Sequence, residues 1–263
     1  MPDVEGLIVP PTTPFDESML VDERALAAHL GFLGEHGVKR ILLNGTTAEF
    51  FSLMPEERRS LLKVARRNFD GLILYNTASD SLLQSLDTLK WAEAEGADAI
   101  VAMLPYYYAD APEEGLLDYL KTLSESTNLP VIFYNFTKHT NNPITRTMLK
   151  AVDHFAIKDS SGDFSLIGST PCYLAGTSSR ILEAYKAGAK GFVSSIANFI
   201  PETYVRLEEL LKSGDFSRVE CLQNEINTIR AKMTASNEIA GIKKELSRLI
   251  KGYPARVRLP LVE

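Results

Sequence analysis

The sequence predicts a parallel (β/α)8 barrel, the TIM-barrel class of α/β fold, with a short C-terminal helical extension. Three observations predict it. Eight short apolar runs recur along the chain, each followed by a polar loop and then a helical pattern or a gap of helical length. The runs lack polar alternation, as expected for parallel strands covered on both faces. The length of 263 residues suits one such barrel. An open doubly wound sheet is the runner-up. It is weakened because neither G-x-G-x-x-G nor G-x-x-x-x-G-K-[ST] opens any helix.

Each element has its own justification. Gly6–Val9 is the first apolar run and leads into Pro10-Pro11-Thr12-Thr13-Pro14-Phe15. Asp22 caps a helical pattern to Glu35, with Leu26, Leu30 and Leu33 on one face and Gly37 as its stop. Arg40–Leu43 is the second run, and Pro55 stands at N1 of a helix over Glu56–Asn68. Leu72–Tyr75 is the third run, followed by a helix over Asp80–Glu95 that stops at Gly96. Ala99–Leu104 and a helix over Glu113–Ser126 come next, then Val131–Tyr134 and a short helix over Thr145–Val152. The sixth run is Phe155–Ile157 and the seventh Cys172–Ala175, with so few residues between them that the helix shrinks to a turn. A helix over Ser178–Ala187, capped by Gly188, precedes the eighth run, Gly191–Ser194. Three helices follow, over Pro201–Lys212, Phe216–Met233 and Ala235–Ile250. Residues 1–200 thus make the barrel. Residues 201–263 supply its last helix and a helical appendage, all within a single structural unit.

Composition narrows the function. A net charge of −6 with no Lys/Arg cluster argues against a nucleic-acid partner. No apolar run is long enough to span a membrane, and Met1–Gly6 lacks the basic start and apolar core of a signal peptide, so a cytoplasmic protein is expected. Cys172 and Cys221 are too few for a disulfide framework and read as two buried thiols. His29, His36, His139 and His154 show no metal-ligand spacing, so neither a metal nor a cofactor is expected.

Catalytic residues of such a barrel lie where the strands end. Here the sixth run delivers one lysine, Lys158, straight from an apolar strand into Asp159-Ser160-Ser161-Gly162. A lysine desolvated at that position has a lowered pKa, and its neutral amine can attack a carbonyl. Other strands end on Thr46 and Thr47, on Tyr106-Tyr107-Tyr108, on Tyr134 and on Gly176. An amine, phenols and hydroxyls suit imine chemistry, in which the iminium withdraws electrons from the adjacent carbon while phenol and hydroxyl move protons. Each residue also has a plainer reading: a solvated lysine after a strand, a turn at Thr46-Thr47, an interface patch at the tyrosines, a satisfied core phenol at Tyr134, a solvent-facing loop residue at His139. The constellation is more specific than any member.

At these residues the sequence resembles the family of dihydrodipicolinate synthases, N-acetylneuraminate lyases and 2-keto-3-deoxygluconate aldolases. Gly45-Thr46-Thr47-Ala48-Glu49 is similar to the family's G-[TS]-T-G-E, Pro105-Tyr106-Tyr107 to its P-Y-Y, Tyr134-Asn135 to its Y-N, and Ile157–Gly162 to its [IV]-K-[DE]-[SA]-[ST]-G. Gly191-Phe192-Val193-Ser194 resembles the segment that closes the barrel. The resemblance runs in register from about Gly6 to about Pro201. It implies that Lys158 forms a Schiff base with pyruvate or a 2-keto acid, beside Tyr134 as the proton-transfer phenol. It implies Thr46 and Tyr107 as relay groups, with Tyr107 reaching a neighbouring subunit in many members. Thr47 and Gly45 would receive the keto acid's carboxylate, with Gly176 and Val193 as further substrate contacts; His139 departs from the family pattern and, in the polar loop Thr137-Lys138-His139-Thr140, could hydrogen-bond a polyol. A homotetramer built from two tight dimers is the usual assembly.

The departures bear on the second substrate. Where the synthases carry a proline and an arginine after the Tyr-Asn pair, this chain has Thr137 and His139, and a histidine lacks the bidentate fork of arginine. Ala48 replaces a glycine, and the C-terminal helical region is short. The expectation is therefore a metal-independent class I aldolase of the 2-keto-3-deoxygluconate type. The alternatives are 4-hydroxy-tetrahydrodipicolinate synthase, which joins pyruvate to aspartate semialdehyde, and a non-catalytic keto-acid-binding paralogue.

Overall fold

Short apolar runs become strands here because both of their faces are covered. The computed structural model describes residues 1–234 and 237–262. Its strands are β1 (Gly6–Ile8), β2 (Arg40–Leu43), β3 (Leu72–Asn76), β4 (Ala99–Met103), β5 (Val131–Asn135), β6 (Ala156–Asp159), β7 (Tyr173–Ala175) and β8 (Gly191–Val193). Every strand residue except Leu72 is buried. The strands form one sheet in the order β1-β8-β7-β6-β5-β4-β3-β2. A parallel bridge between Val9 and Ile41 returns the first strand to the second. This is the nearly closed (β/α)8 barrel that the sequence predicts, with helices added at the C-terminal end.

Two compact units divide the chain: Met1–Gly6 with Leu74–Val193, and Leu7–Ile73 with Ser194 onward. In the first unit, β5 and β6 pair with Tyr134 opposite Lys158 and Asn135 opposite Asp159, and β7 continues the ladder with Ala175 opposite Asp159. Its helices are α3 (Leu82–Ala94), α4 (Glu113–Glu125), α5 (Thr137–Thr140), α6 (Arg146–Ala151) and α7 (Ile181–Ala187). Ser81 caps α3 by accepting from the Gln84 N–H, and Thr145 caps α6 by accepting from the Met148 N–H. Its core is aliphatic and aromatic, with Ile100, Leu120, Ile132, Phe133 and Ile157 fully enclosed.

The second unit holds α1 (Glu23–Glu35), α2 (Pro55–Asn68), α8 (Pro201–Ser213), α9 (Phe216–Thr234) and α10 (Glu238–Leu249). Asp22 caps α1 as expected, accepting from the N–H groups of Arg24 and Ala25. Pro55 opens α2, where Glu57 reaches back to the Met54 N–H at 2.9 Å. Ile8, Leu30, Ile41, Leu62, Leu207, Ile226 and Leu246 form its core.

The differences from expectation are local. Asp80 does not begin α3; its carboxylate accepts from the backbone N–H groups of Tyr106 at 2.6 Å and Tyr107 at 2.8 Å, and Ser81 takes the cap instead. The turn α5 and the 3-10 turns over Thr46–Ala48, Phe50–Ser52 and Ile196–Asn198 carry no periodic signal. Ser178–Arg180 is likewise a 3-10 turn, so α7 proper starts at Ile181. The link between β6 and β7 contains turns and no helix, as expected. α10 starts at Glu238 under an Asn237 cap; the expected start, Ala235, lies outside the described residues. Cys172 is buried, but Cys221 is exposed. On α9 the inward face carries Val219, Gln223 and Ile226, which turns residue 221 to the opposite side.

Candidate active site

The site is built on the pairing of β5 with β6. Because Tyr134 and Lys158 are directly opposite in register, the two-residue period of strands puts both side chains on one face. The Lys158 Nζ stands 3.3 Å from the centroid of the Tyr134 ring. Both are buried, Lys158 at 7% exposure and Tyr134 at 2%. Burial pushes the Lys158 ammonium well below the ordinary lysine range, and the neighbouring Asp159 carboxylate opposes that shift only in part. A lysine so shifted gives up its proton at a lower pH than an ordinary lysine, and the neutral amine is the form that attacks a carbonyl.

The next residue on each strand faces the other way, and there a second cluster forms. Asp159 is fully buried and accepts four hydrogen bonds: from Asn135 Nδ2 at 2.9 Å, the Ser161 N–H at 2.8 Å, Ser161 Oγ at 3.0 Å and the Tyr173 hydroxyl at 2.8 Å. Asn135 in turn accepts from the Ile144 N–H at 3.1 Å. These bonds satisfy a carboxylate that would otherwise be costly to bury. They also fix the end of β6 on which Lys158 is carried. The motif brought Asp159 and Ser161 to notice in the sequence, but nothing there pointed to Asn135 or Tyr173 as their partners.

Gly176 lies just beyond β7, where its N–H donates to the Asp159 carbonyl at 2.7 Å. A Cβ at this position would come within 2.1 Å of Ser160 Oγ and 2.9 Å of the Asp159 carbonyl, so only glycine fits without displacement. His139 is exposed on α5 and meets Phe136 edge-on at 4.3 Å between centroids. Phe136 itself stacks on Tyr134 at 5.5 Å. His139 is held below the usual histidine range by partial burial and by Lys138. Tyr107 is 79% exposed and edge-on to Tyr108. Val193 ends β8 and is buried. A cleft of about 290 Å³ opens on the Asn135 face beside Thr145, Arg146, Ser161 and Asp163, and Lys158 does not line it.

In the second unit, Gly45, Thr46 and Thr47 follow β2 as a tight turn, with Thr47 buried and Thr46 half-buried. Asn44 and Glu49 bracket this turn, both in the left-handed region at φ 55° and 56°. Glu49 is fully enclosed together with Lys243 of α10, a residue the sequence did not single out.

The model of the dihydrodipicolinate synthetase family matches residues 3–263. The chain belongs to that family. Like its members, it is a lyase of the class I aldolase type. It is 31% identical over 256 residues to the 4-hydroxy-tetrahydrodipicolinate synthase of Staphylococcus haemolyticus, an alignment covering 89% of this chain and 86% of that protein. A crystal structure of a dihydrodipicolinate synthase superposes with a TM-score of 0.91 at 27% identity, covering 98% of this chain and 93% of the other. A 2-keto-3-deoxygluconate aldolase variant from Sulfolobus solfataricus shares the fold, with a TM-score of 0.88 at 24% identity over 97% of this chain and 89% of its own. Members of both names therefore share the barrel with this chain.

Proposed function

We propose that the chain is a Schiff-base aldolase acting on pyruvate and 2-keto-3-deoxy sugar acids, with Lys158 as the nucleophile. The observation that carries this reading is the buried Lys158 amine packed on the Tyr134 ring, where loss of hydration disfavours its charged form. The amine adds to the C2 ketone and water leaves, giving an iminium. The bond between C3 and C4 then breaks, its electrons pass into the iminium to form an enamine, and the C4 hydroxyl gives up its proton as the aldehyde departs. Protonation of the enamine at C3 and hydrolysis release pyruvate and restore the lysine.

Tyr134 serves as the group that moves protons at the carbinolamine and at the breaking bond, with Thr46 and Tyr107 extending the relay. Thr47 and Gly45 receive the carboxylate, and His139, Gly176 and Val193 complete the substrate contacts. The exposed Tyr107 and Tyr108 support a homotetramer in which Tyr107 is covered by a neighbouring copy. A reducing cytoplasm suits an enzyme with two free thiols. Histidine at position 139 supports the sugar-acid branch. The alternative is the condensation of pyruvate with aspartate semialdehyde, favoured by the name of the Staphylococcus haemolyticus relative.

Incubation with pyruvate and borohydride, followed by mass analysis of the peptides, tests the mechanism. The expected outcome is a reduced pyruvyl adduct on the peptide that contains Lys158. An unmodified peptide would leave a keto-acid-binding protein with no imine chemistry. Assays with 2-keto-3-deoxygluconate and with pyruvate plus aspartate semialdehyde then separate the two branches.

A further inference from the structure

The turn Gly45-Thr46-Thr47-Ala48 does not hold its shape through its own bonds alone. Its internal backbone bonds are Ala48 N–H to Gly45 O and Glu49 N–H to Thr46 O, each 3.0 Å. It is entered and left through left-handed residues that carry side chains, Asn44 and Glu49, a conformation that persists only when the surroundings impose it. From the N-terminal side, the Thr13 hydroxyl donates to the Ala48 carbonyl at 2.8 Å. A further restraint comes from the far end of the chain, through Glu49.

Both oxygens of the Glu49 carboxylate are engaged. Oε1 pairs with Lys243 Nζ, and Oε2 accepts from the backbone N–H of Arg258 at 2.9 Å. Lys243 also donates to the Arg256 carbonyl at 2.7 Å and lies 4.2 Å from the centroid of the Phe15 ring. Its helix, α10, turns Ala240, Ile242 and Leu246 inward on the same side. Arg258 adds a second hold: its guanidinium donates to the Ser52 carbonyl at 2.6 Å and to Glu57 Oε2 at 2.7 Å, at the start of α2. The Glu49 and Lys243 side chains are wholly shielded from solvent. A buried ion pair is weak evidence for stability, since an apolar pair of similar volume often serves as well or better. Its directionality and its two-point hold on one carboxylate suit the fixing of a geometry.

We infer that Lys243 and the segment Arg256–Arg258 are positioning residues that act through Glu49 to fix the Thr46-Thr47 turn, so that the C-terminal extension sets the enzyme's affinity for the keto acid's carboxylate. This rests on the reading above, in which Thr47 and Gly45 receive that carboxylate. Imine formation at Lys158 is served by other strands. Loss of the clamp therefore raises KM for the keto acid, and because Thr46 of the same turn extends the proton relay, kcat falls with it.

The experiment compares full-length variants with pyruvate as the probe, after borohydride trapping on the parent protein. The double variant Glu49→Ala/Lys243→Met removes the clamp without leaving a lone charge in the interior. Its KM for the keto acid and its half-saturating pyruvate concentration in trapping rise roughly ten- to a hundredfold, as for other small displacements of a binding group. Glu49→Gln/Lys243→Met keeps an acceptor for the Arg258 N–H and gives an intermediate rise. If the first variant does not fold, this second one decides alone. Arg40→Met, which breaks a different enclosed pair, Arg40 with Glu208, lowers the melting temperature yet keeps the parental KM. A parental KM in folded clamp variants overturns the clamp while leaving the imine mechanism intact. So does a KM rise in Arg40→Met as large as theirs. A parent that traps no pyruvate overturns both.

Discussion

Lys158 stands beside Tyr134 because two strands present the same register position to the same face. The consequence at this scale is electrostatic. An ammonium enclosed at this site loses its hydration, and the Asp159 carboxylate on the next residue compensates only in part. The folded-state pKa is therefore depressed below the unfolded value of 10.5. Below the folded pKa both states carry the charge and the penalty for burying it is complete. Between the two values the unfolded chain binds more protons, so stability rises with pH, and above 10.5 the penalty is gone. Lys158→Met keeps the length and apolar stem while removing the charge. The variant should be inactive and should melt higher than the parent at neutral pH, with the gain shrinking as pH climbs towards 10.5. Thermal melts across that range check it. A difference that does not change with pH would mean that the folded protein imposes no burial penalty on the ammonium.

At the scale of elements, the ends of β6 and β7 are locked together more tightly than their length suggests. Gly176→Ala would drive a methyl group into Ser160 Oγ and the Asp159 carbonyl. Overpacking of this kind costs about 1–3 kcal/mol. The atoms that must move belong to Asp159, the last residue of the strand that carries Lys158, and to Ser160 just after it. Gly176→Ala should therefore lower the melting temperature and the turnover together, as melts and steady-state rates on the same preparation would show. A stable variant with parental turnover would mean that the strand ends repack freely. The strands themselves were legible because a run such as Ala99–Met103 is buried at every position and so needs no polar alternation. Their ends were less so. β5 continues through Asn135 and β6 through Asp159 because those polar residues bond to each other on the outer face, which makes a polar residue as good a strand member as an apolar one. Asp80 misled in the same way: its carboxylate satisfies two distant N–H groups, so it could not cap the helix beside it.

Across the whole molecule, what the sequence could not reveal is contact between positions far apart in the chain. Lys158, Tyr134 and the turn at Thr46-Thr47 were legible because short motifs carry them. Lys243 and Glu49, 194 positions apart, were not, because an enclosed lysine on an amphipathic helix has no local signature. His29 is a similar case: the periodicity of α1 places it on the inner face, but only the folded chain shows it fully enclosed against Tyr253, 5.4 Å between ring centroids. Burial lowers its pKa from 6.5 to about 4, with the backbone of Asn198 pulling weakly the other way. The folded imidazole therefore stays neutral where the unfolded one is protonated. Between 6.5 and about 4 the unfolded chain binds the extra proton, so the His29 contribution to stability is complete above 6.5 and falls as pH falls through that window. At one pKa unit per 1.36 kcal/mol the full loss is about 3 kcal/mol. Paired carboxylates act lower down. Glu57, held below its ordinary 4.5 chiefly by Arg258, gives up its contribution only as pH falls beneath that value. The two windows barely overlap, so a non-ionising side chain at position 29 isolates the first. In His29→Leu the melting temperature should decline less steeply from pH 7 to pH 5 than the parent's does over the same interval. Parallel declines in both proteins would assign the acid sensitivity to groups other than His29.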